Sequence, residues 1–299
     1  MNSLSEETTQ SSILAEARRA FHADLRARGL IALSPKGVPS MSDAKNKGSM
    51  LLGRKLLEAL GPIEELPRLG GQTAGNRFEV CVHTFLSTIF PHLKALRRGK
   101  FSVERGQSIE RFDQYEHLAK LVKISNSKDH KENKETKELR LVLGTNYLVK
   151  PDIVIARAAE TDDDLNYEGT PLVDATAGRR SSIRARKGRL PTLHASISCK
   201  WTMRSDRAQN ARTEALNMIR HRKGRLPHIT VVTAEADPAI IASLAIGTAD
   251  LDCVYHIALD ELGAAVTGFG SDKAKRVFDD MVDGHRLRDI ADLPLDLTV

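Results

Sequence analysis

From residue 147 onward the chain alternates apolar, strand-like runs with helical patterns, and this alternation limits the fold more than any other feature. YLVKPDIVIAR (147–157), LHASISCKW (193–201), HITVVTAE (228–235) and LDCVYHIAL (251–259) read as strands. Helical spacing appears at 205–221, 238–246 and 273–283, the last of these reading as the final element. TPLVDATA (170–177) reads as a further strand and GRRSSIRARKGR (178–189) as a basic loop. The first half has a different texture. Leu14, Ala17, Phe21 and Leu25 recur at helical spacing up to Gly29, SMLLGRKLLEAL (49–60) is a second helix, and a third spans about 76–90 before Pro91. FSVER (101–105) reads as a strand, and 109–123 is ambiguous. Helices followed by alternating strands and helices predict an α/β core with a helical N-terminal layer. One domain over 1–299 is expected, with 1–10 frayed and the charged stretch 126–139 a solvated loop or exposed helix.

Composition narrows the class. With 299 residues, 41 % hydrophobic and 28 % charged, the chain is of ordinary globular make-up, which excludes fibrous and wholly disordered classes. No apolar run is long enough to cross a membrane. Glu6, Glu7, Glu16 and Asp24 speak against a secretory leader. Cys81, Cys199 and Cys253 form no CxxC pair and, being three, cannot all pair within the chain, which favours a reducing, cytoplasmic setting. A net charge of +6 tilts partners mildly toward polyanions.

Three segments carry chemistry. Asp152 follows Pro151 on an apolar strand, where its carboxylate must sit at the strand edge, find a partner or hold a cation. An ordinary aspartate at a loop-to-strand junction is the bland alternative. In the strand 193–201, alternation puts Ser198 and Lys200 on one face and Cys199 on the other. Lys200 is then either a snorkelling surface residue or a positioned cation. Many nucleases use a PD…(D/E)xK pattern of this shape, two acids holding Mg²⁺ and the lysine steadying a water or the scissile phosphate. Here Ser198 stands where the second acid belongs. On the following helix Arg207, Asn210, Glu214 and Asn217 share a face. Glu214 can supply the missing carboxylate, or it can be an exposed residue paired with Arg207 or Arg220.

These segments, in this order, resemble the NgoMIV-type family of type II restriction endonucleases, a variant of the PD-(D/E)xK nucleases. The matching residues are Pro151-Asp152, Ser198-Cys199-Lys200, Arg204-Ser205-Asp206-Arg207, Glu214, and Glu79 within Gly75-Asn76-Arg77-Phe78-Glu79. The resemblance runs from about residue 40 to the C-terminus and implies a restriction-endonuclease-like core, a mixed central sheet flanked by helices. It implies one or two Mg²⁺ ions held by Asp152, Glu214 and the Cys199 main-chain carbonyl, with Lys200 at the attacked phosphate and Ser198 and Glu79 completing the catalytic set. It further implies a homo-oligomer, a dimer at least and a tetramer in the family's example, acting on double-stranded DNA with 5′ overhangs. A cytosine methyltransferase is the expected genetic partner. Neither Ser198 nor Cys199 has a His–Asp partner nearby in sequence, so a covalent mechanism is not expected.

Arginine is the best bidentate partner of guanine, and aspartate accepts from cytosine N4. Arg204, Asp206 and Arg207 therefore form a compact reading head for G·C pairs, or else a phosphate clamp capped by Asp206. In a two-fold dimer the first reading gives a palindromic CCGG core. By resemblance Gln72 reads the minor groove and Asp43 the outer base pair, which favours GCCGGC. The family's arginine for that outer pair has no counterpart, since none occurs between Arg225 and Arg276. The tract 178–189, Arg184 included, is a candidate for phosphate contacts or else a solvated loop beside the site. Three functions compete: a CCGG-cutting restriction endonuclease, a less specific repair or mobile-element nuclease, and a non-catalytic DNA-binding module.

Overall fold

The computed structural model describes residues 11–119, 149–203, 205–247 and 250–299, without the side chains of 168 and 205–208. Helix α1 (Ile13–Ala27) starts at Ser12, whose hydroxyl accepts from the Ala15 N–H, and it buries Ala17, Phe21 and Leu25. It ends before Gly29, which takes φ +68°, a value that favours glycine. The short strand β1 (Ala32–Leu33) pairs in parallel with β2 (Glu64–Glu65) around α2 (Lys47–Ala59), which Asn46 caps. Helix α3 (Gly71–Ile89) begins five residues earlier than its apolar spacing suggests, because its first turn is polar and exposed and adds nothing to the stripe.

Strand β3 (Phe101–Arg105) leads through 3₁₀ turns at Ile109–Arg111 and Asp113–Leu118. The chain then forms β4 (Ile153–Arg157), α4 (Asp162–Leu165), β5 (Thr192–Lys200), α5 (Ser205–His221), β6 (His228–Thr233), α6 (Pro238–Ala245) and β7 (Cys253–His256). Helices α7 (Leu259–Phe269) and α8 (Asp272–Asp283), strand β8 (Leu287–Asp289) and α9 (Leu293–Asp296) complete it. The six strands stand in the order β3-β4-β5-β6-β7-β8. The pairs β3/β4 and β4/β5 are antiparallel and the rest parallel, so the sheet is mixed and flanked by helices, as expected.

Three readings are corrected. Residues 170–177 form no strand: Leu172 is 66 % exposed and Asp174 closes a turn by accepting from the Thr176 and Ala177 N–H groups. The run is apolar but has no neighbouring strand to pair with. Helix 273–283 is not the last element, since β8 and α9 follow it. Helix α7 escapes the sequence reading as well, because Gly263 and Gly268 interrupt its apolar stripe. The charged stretch 126–139, the segment 1–10 and the start of the 147–157 run lie outside the described residues.

The central strand β5 is buried over Leu193–Cys199. Its polar face is buried too, since His194 lies against Phe101, His228 and the Leu297 carbonyl, and Ser198 against Glu214 of α5. Gln114 exchanges two hydrogen bonds with Leu193, at 2.7 and 2.9 Å, and the Tyr115 hydroxyl donates to the Met218 carbonyl at 3.1 Å. The far edge is tied to α1 by Arg18, which grips both Glu261 and Asp289. The buried apolar residues make one continuous cluster. Among the described residues no helix is long and apolar enough to cross a membrane.

Candidate active site

The antiparallel pairing of β4 with β5 sets the site. Ile153 faces Ile197, so Asp152, one residue before β4, lies beside the last turn of the ladder where β5 ends in Ser198-Cys199-Lys200. Asp152 Oδ2 accepts from the Cys199 main-chain N–H at 2.7 Å and from Lys200 Nζ at 3.1 Å. Lys200 is therefore a positioned cation rather than a snorkelling surface residue, with its side chain 17 % exposed. The main chain on each side is also pinned: Thr233 Oγ1 donates to the Lys200 carbonyl at 2.8 Å, and the Gly106 N–H to the Asp152 carbonyl at 3.0 Å.

Helix α5 buries Ala211, Ala215 and Met218, and this stripe turns Glu214 toward the sheet. Ser198 Oγ donates to Glu214 Oε2 at 3.3 Å. No ion pair to Arg220 forms; Glu214 belongs to the Ser198–Lys200 side. Burial pushes the Glu214 carboxyl up, Lys200 opposes this, and the negative charge of Asp152 adds to it. Burial alone lowers the Lys200 ammonium, but Asp152 and Glu214 outweigh it and leave it raised. The cation thus stays charged between two acids.

Glu79 reaches the same region from α3. Phe78 is buried edge-to-face against Trp201, with ring centroids 5.2 Å apart, and so docks α3 just beyond Lys200. Glu79 Oε2 accepts from Arg105 at 3.1 Å, and both charges act on Cys199. Arg105 is not singled out by the sequence, although its strand is; only the register of β3 against β4 brings it beside Asp152. The Cys199 thiol is held well above its ordinary range, by burial first and by Asp152 next, so it is no thiolate nucleophile.

Asp152 and Glu214 could hold a hard divalent cation. They offer oxygen donors only, and the upward push on Glu214 from burial and from Asp152 is relieved by positive charge between them. Among the described residues no group of three or more His, Cys, Asp and Glu side chains is disposed to hold a metal, so main chain and water would complete the shell.

Arg204 lies outside the described residues, as do the side chains of Asp206 and Arg207, whose main chain opens α5. Gln72 is exposed in the first turn of α3. Asp43 is half-buried, and its carboxylate accepts from the Lys45 N–H. In the basic tract Arg184 is committed to partners within the chain. It is 7 % exposed, donates to both Asp162 oxygens at 2.6 and 2.7 Å and also reaches the Ala177 carbonyl, stapling the tract to α4. Arg189 pairs with Asp113, whereas Arg179, Arg180, Arg186 and Lys187 are exposed.

Sequence reasoning also misses Glu235. It is 1 % exposed just after β6 and accepts from main-chain N–H groups of Met203, Ala236 and Asp237. Its only signal in sequence is an acid closing an apolar run.

Comparison with known proteins identifies the family. The family model for the NgoMIV restriction enzyme matches residues 21–299. The chain is 42 % identical over 292 residues to the type II restriction enzyme NgoMIV of Neisseria gonorrhoeae, covering 96 % of this chain and 99 % of that one. Among solved structures, restriction endonuclease PspGI in complex with substrate DNA is 12 % identical at a TM-score of 0.36, over 95 % of this chain and 91 % of that one, a likeness too slight to bear weight. The match at the level of sequence is decisive by itself, because it extends through every segment that builds the site: the chain belongs to the NgoMIV restriction enzyme family and is a type II restriction endonuclease.

Proposed function

We propose that the chain is a Mg²⁺-dependent endonuclease that cuts double-stranded DNA at a palindromic site with a CCGG core, GCCGGC being the favoured full site, and leaves 5′ overhangs. It acts as one folded domain in a homo-oligomer, a dimer at least and a tetramer by family resemblance, beside a cytosine methyltransferase that protects the same site. The observation that carries the catalytic part is the cluster at the end of β5, where Lys200 sits on Asp152 and Ser198 on Glu214. The single continuous core supports the one-domain reading.

Phosphodiester hydrolysis needs a water-derived nucleophile and neutralisation of the charge that builds on the phosphate and on the leaving 3′ oxygen. Asp152, Glu214 and the Cys199 carbonyl would hold Mg²⁺, which when bound would supply Lewis acidity at the phosphate. The protein's own groups do the positioning. The Cys199 N–H fixes the Asp152 carboxylate, Ser198 orients Glu214, and Lys200, kept protonated by both acids, is the cation available to the attacked phosphate and its water. Glu79, held by Arg105, is a ligand or an outer partner for water. Arg204 and Arg207 read guanines and Asp206 the paired cytosine, while Gln72 and Asp43 contact the flanks.

Digestion of plasmid DNA with and without Mg²⁺, followed by sequencing of the ends, tests this reading. Defined ends at CCGG with 5′ extensions are expected only with the metal. Random ends, or cleavage unaffected by chelation, would refute it.

A further inference from the structure

We propose that Glu235 is a positioning residue for DNA recognition: its buried carboxylate joins the main chain entering Arg204–Arg207 to the Ser42–Asp43 loop, so that the two base-reading segments keep one register. This rests on the reading of Arg204, Asp206, Arg207 and Asp43 as DNA contacts.

The path is short and continuous. Met203 immediately precedes Arg204, and its main-chain N–H donates to Glu235 Oε2 at 3.1 Å. The other oxygen, Oε1, accepts from the Ala236 and Asp237 N–H groups at 3.1 and 3.2 Å and from the Ser49 hydroxyl at 3.4 Å. Ser49 Oγ in turn accepts from the Asp43 N–H at 3.3 Å, and the Ser49 carbonyl accepts from Ser42 Oγ at 2.7 Å. Asn46, the cap of α2, donates to Asp237 at 2.7 Å and closes a second link between the same two segments. Arg68 holds the Ser42 carbonyl from outside at 2.8 Å.

The choice of residue at 235 fits this task better than a packing role. A buried acid is costly, and here burial holds the carboxyl near neutrality, at about 7. An apolar side chain would fill the space without that cost. A carboxylate accepts at both oxygens, from Met203 on one side and from Ser49, Ala236 and Asp237 on the other. A glutamine must turn its NH2 group against either the Met203 N–H or the Ala236 and Asp237 N–H groups, donors that it cannot satisfy. The linked segments are far apart in sequence, and this junction ties the Asp43 main chain to that of Met203, the residue before Arg204.

The test begins by mapping the chain's own cleavage site from plasmid ends. Affinity in Ca²⁺ above pH 8 is then measured on a duplex with the mapped site and on a scrambled one, for wild type, Arg204→Ala, Glu235→Gln and Ser49→Ala, with thermal melts of each. Arg204→Ala is expected to lose discrimination. Glu235→Gln should lower affinity for the mapped site about tenfold or more, the weight of one hydrogen bond to a charged group, with the scrambled duplex and its salt slope unchanged. Ser49→Ala, which removes one hydroxyl and decides the matter if Glu235→Gln does not fold, should lower the same ratio by a smaller factor. If Arg204→Ala loses discrimination while both other variants keep the wild-type ratio, or weaken both duplexes equally, the positioning role is overturned. If Arg204→Ala weakens both duplexes equally, the base-reading assignment falls and the proposal with it.

Discussion

Replacing Glu235 with glutamine should change the pH dependence of folding by an amount that follows from its surroundings. Burial, partly offset by the N–H groups of Met203 and Asp237, raises this carboxyl from the ordinary 4.5 to about 7. Below pH 4.5 the folded and unfolded chains both carry the proton. Between 4.5 and about 7 the folded protein keeps a proton that the unfolded chain has released, so stability falls as pH rises. Above about 7 both forms have released it and the decline is complete. At about 1.36 kcal/mol per pH unit the total comes to about 3 kcal/mol. Glutamine removes this titration, whatever constant amount it adds or subtracts through its altered hydrogen bonds. The quantity to measure is the difference in unfolding free energy between Glu235→Gln and wild type, from urea titrations between about pH 4 and about pH 9 at one protein concentration. That difference should move by about 3 kcal/mol in favour of the variant as pH rises through the window. A difference that stays constant would show that Glu235 titrates normally and that its burial is not the controlling term.

Asp152→Ala and Glu214→Ala should each abolish cleavage of a plasmid carrying the mapped site while keeping affinity in Ca²⁺, since removing a carboxylate near phosphate lowers repulsion; full activity in either would exclude it from the catalytic set. Cys199→Ser should cleave nearly as wild type, and folded wild-type protein should resist alkylation at Cys199 at pH 8, because its thiol is held protonated; a folded but inactive serine variant would restore a role for sulfur. Arg186→Ala should lower the salt slope of DNA binding by about one, the effect of no longer neutralising one phosphate, whereas Arg184→Ala should leave the slope unchanged and expose the 160–185 region to protease, its guanidinium being bound to Asp162. Gly53→Ala should destabilise the protein by about 1–3 kcal/mol in chemical denaturation, because a Cβ there comes within 2.0 Å of Ser42 Oγ.

The sequence determined the class of fold and singled out the residues that meet at the end of β5. Strand-like runs around Asp152 and Ser198–Lys200 and the helical spacing of Glu214 are local patterns, and local patterns set secondary structure wherever one face of an element must be buried. The same logic fails where burial depends on distant partners. TPLVDATA looks like a strand but pairs with no strand among the described residues, β8 has three residues and too little pattern to register, and α7 hides its stripe behind two glycines. Only the tertiary structure settled which charges meet. Arg184 is one of several similar arginines until the fold places Asp162 beside it, Glu214 has several plausible partners in sequence, and Arg105 comes opposite Ile153 and meets Glu79 only through strand register and helix packing. Glu235 is the clearest case. Its four hydrogen-bond donors come from residues 49, 203, 236 and 237, two of them far away in the chain, and the environment that raises its carboxyl exists only when those segments have closed over it. Apolar periodicity is written residue by residue, but the pairing of buried polar groups is a property of the packed chain.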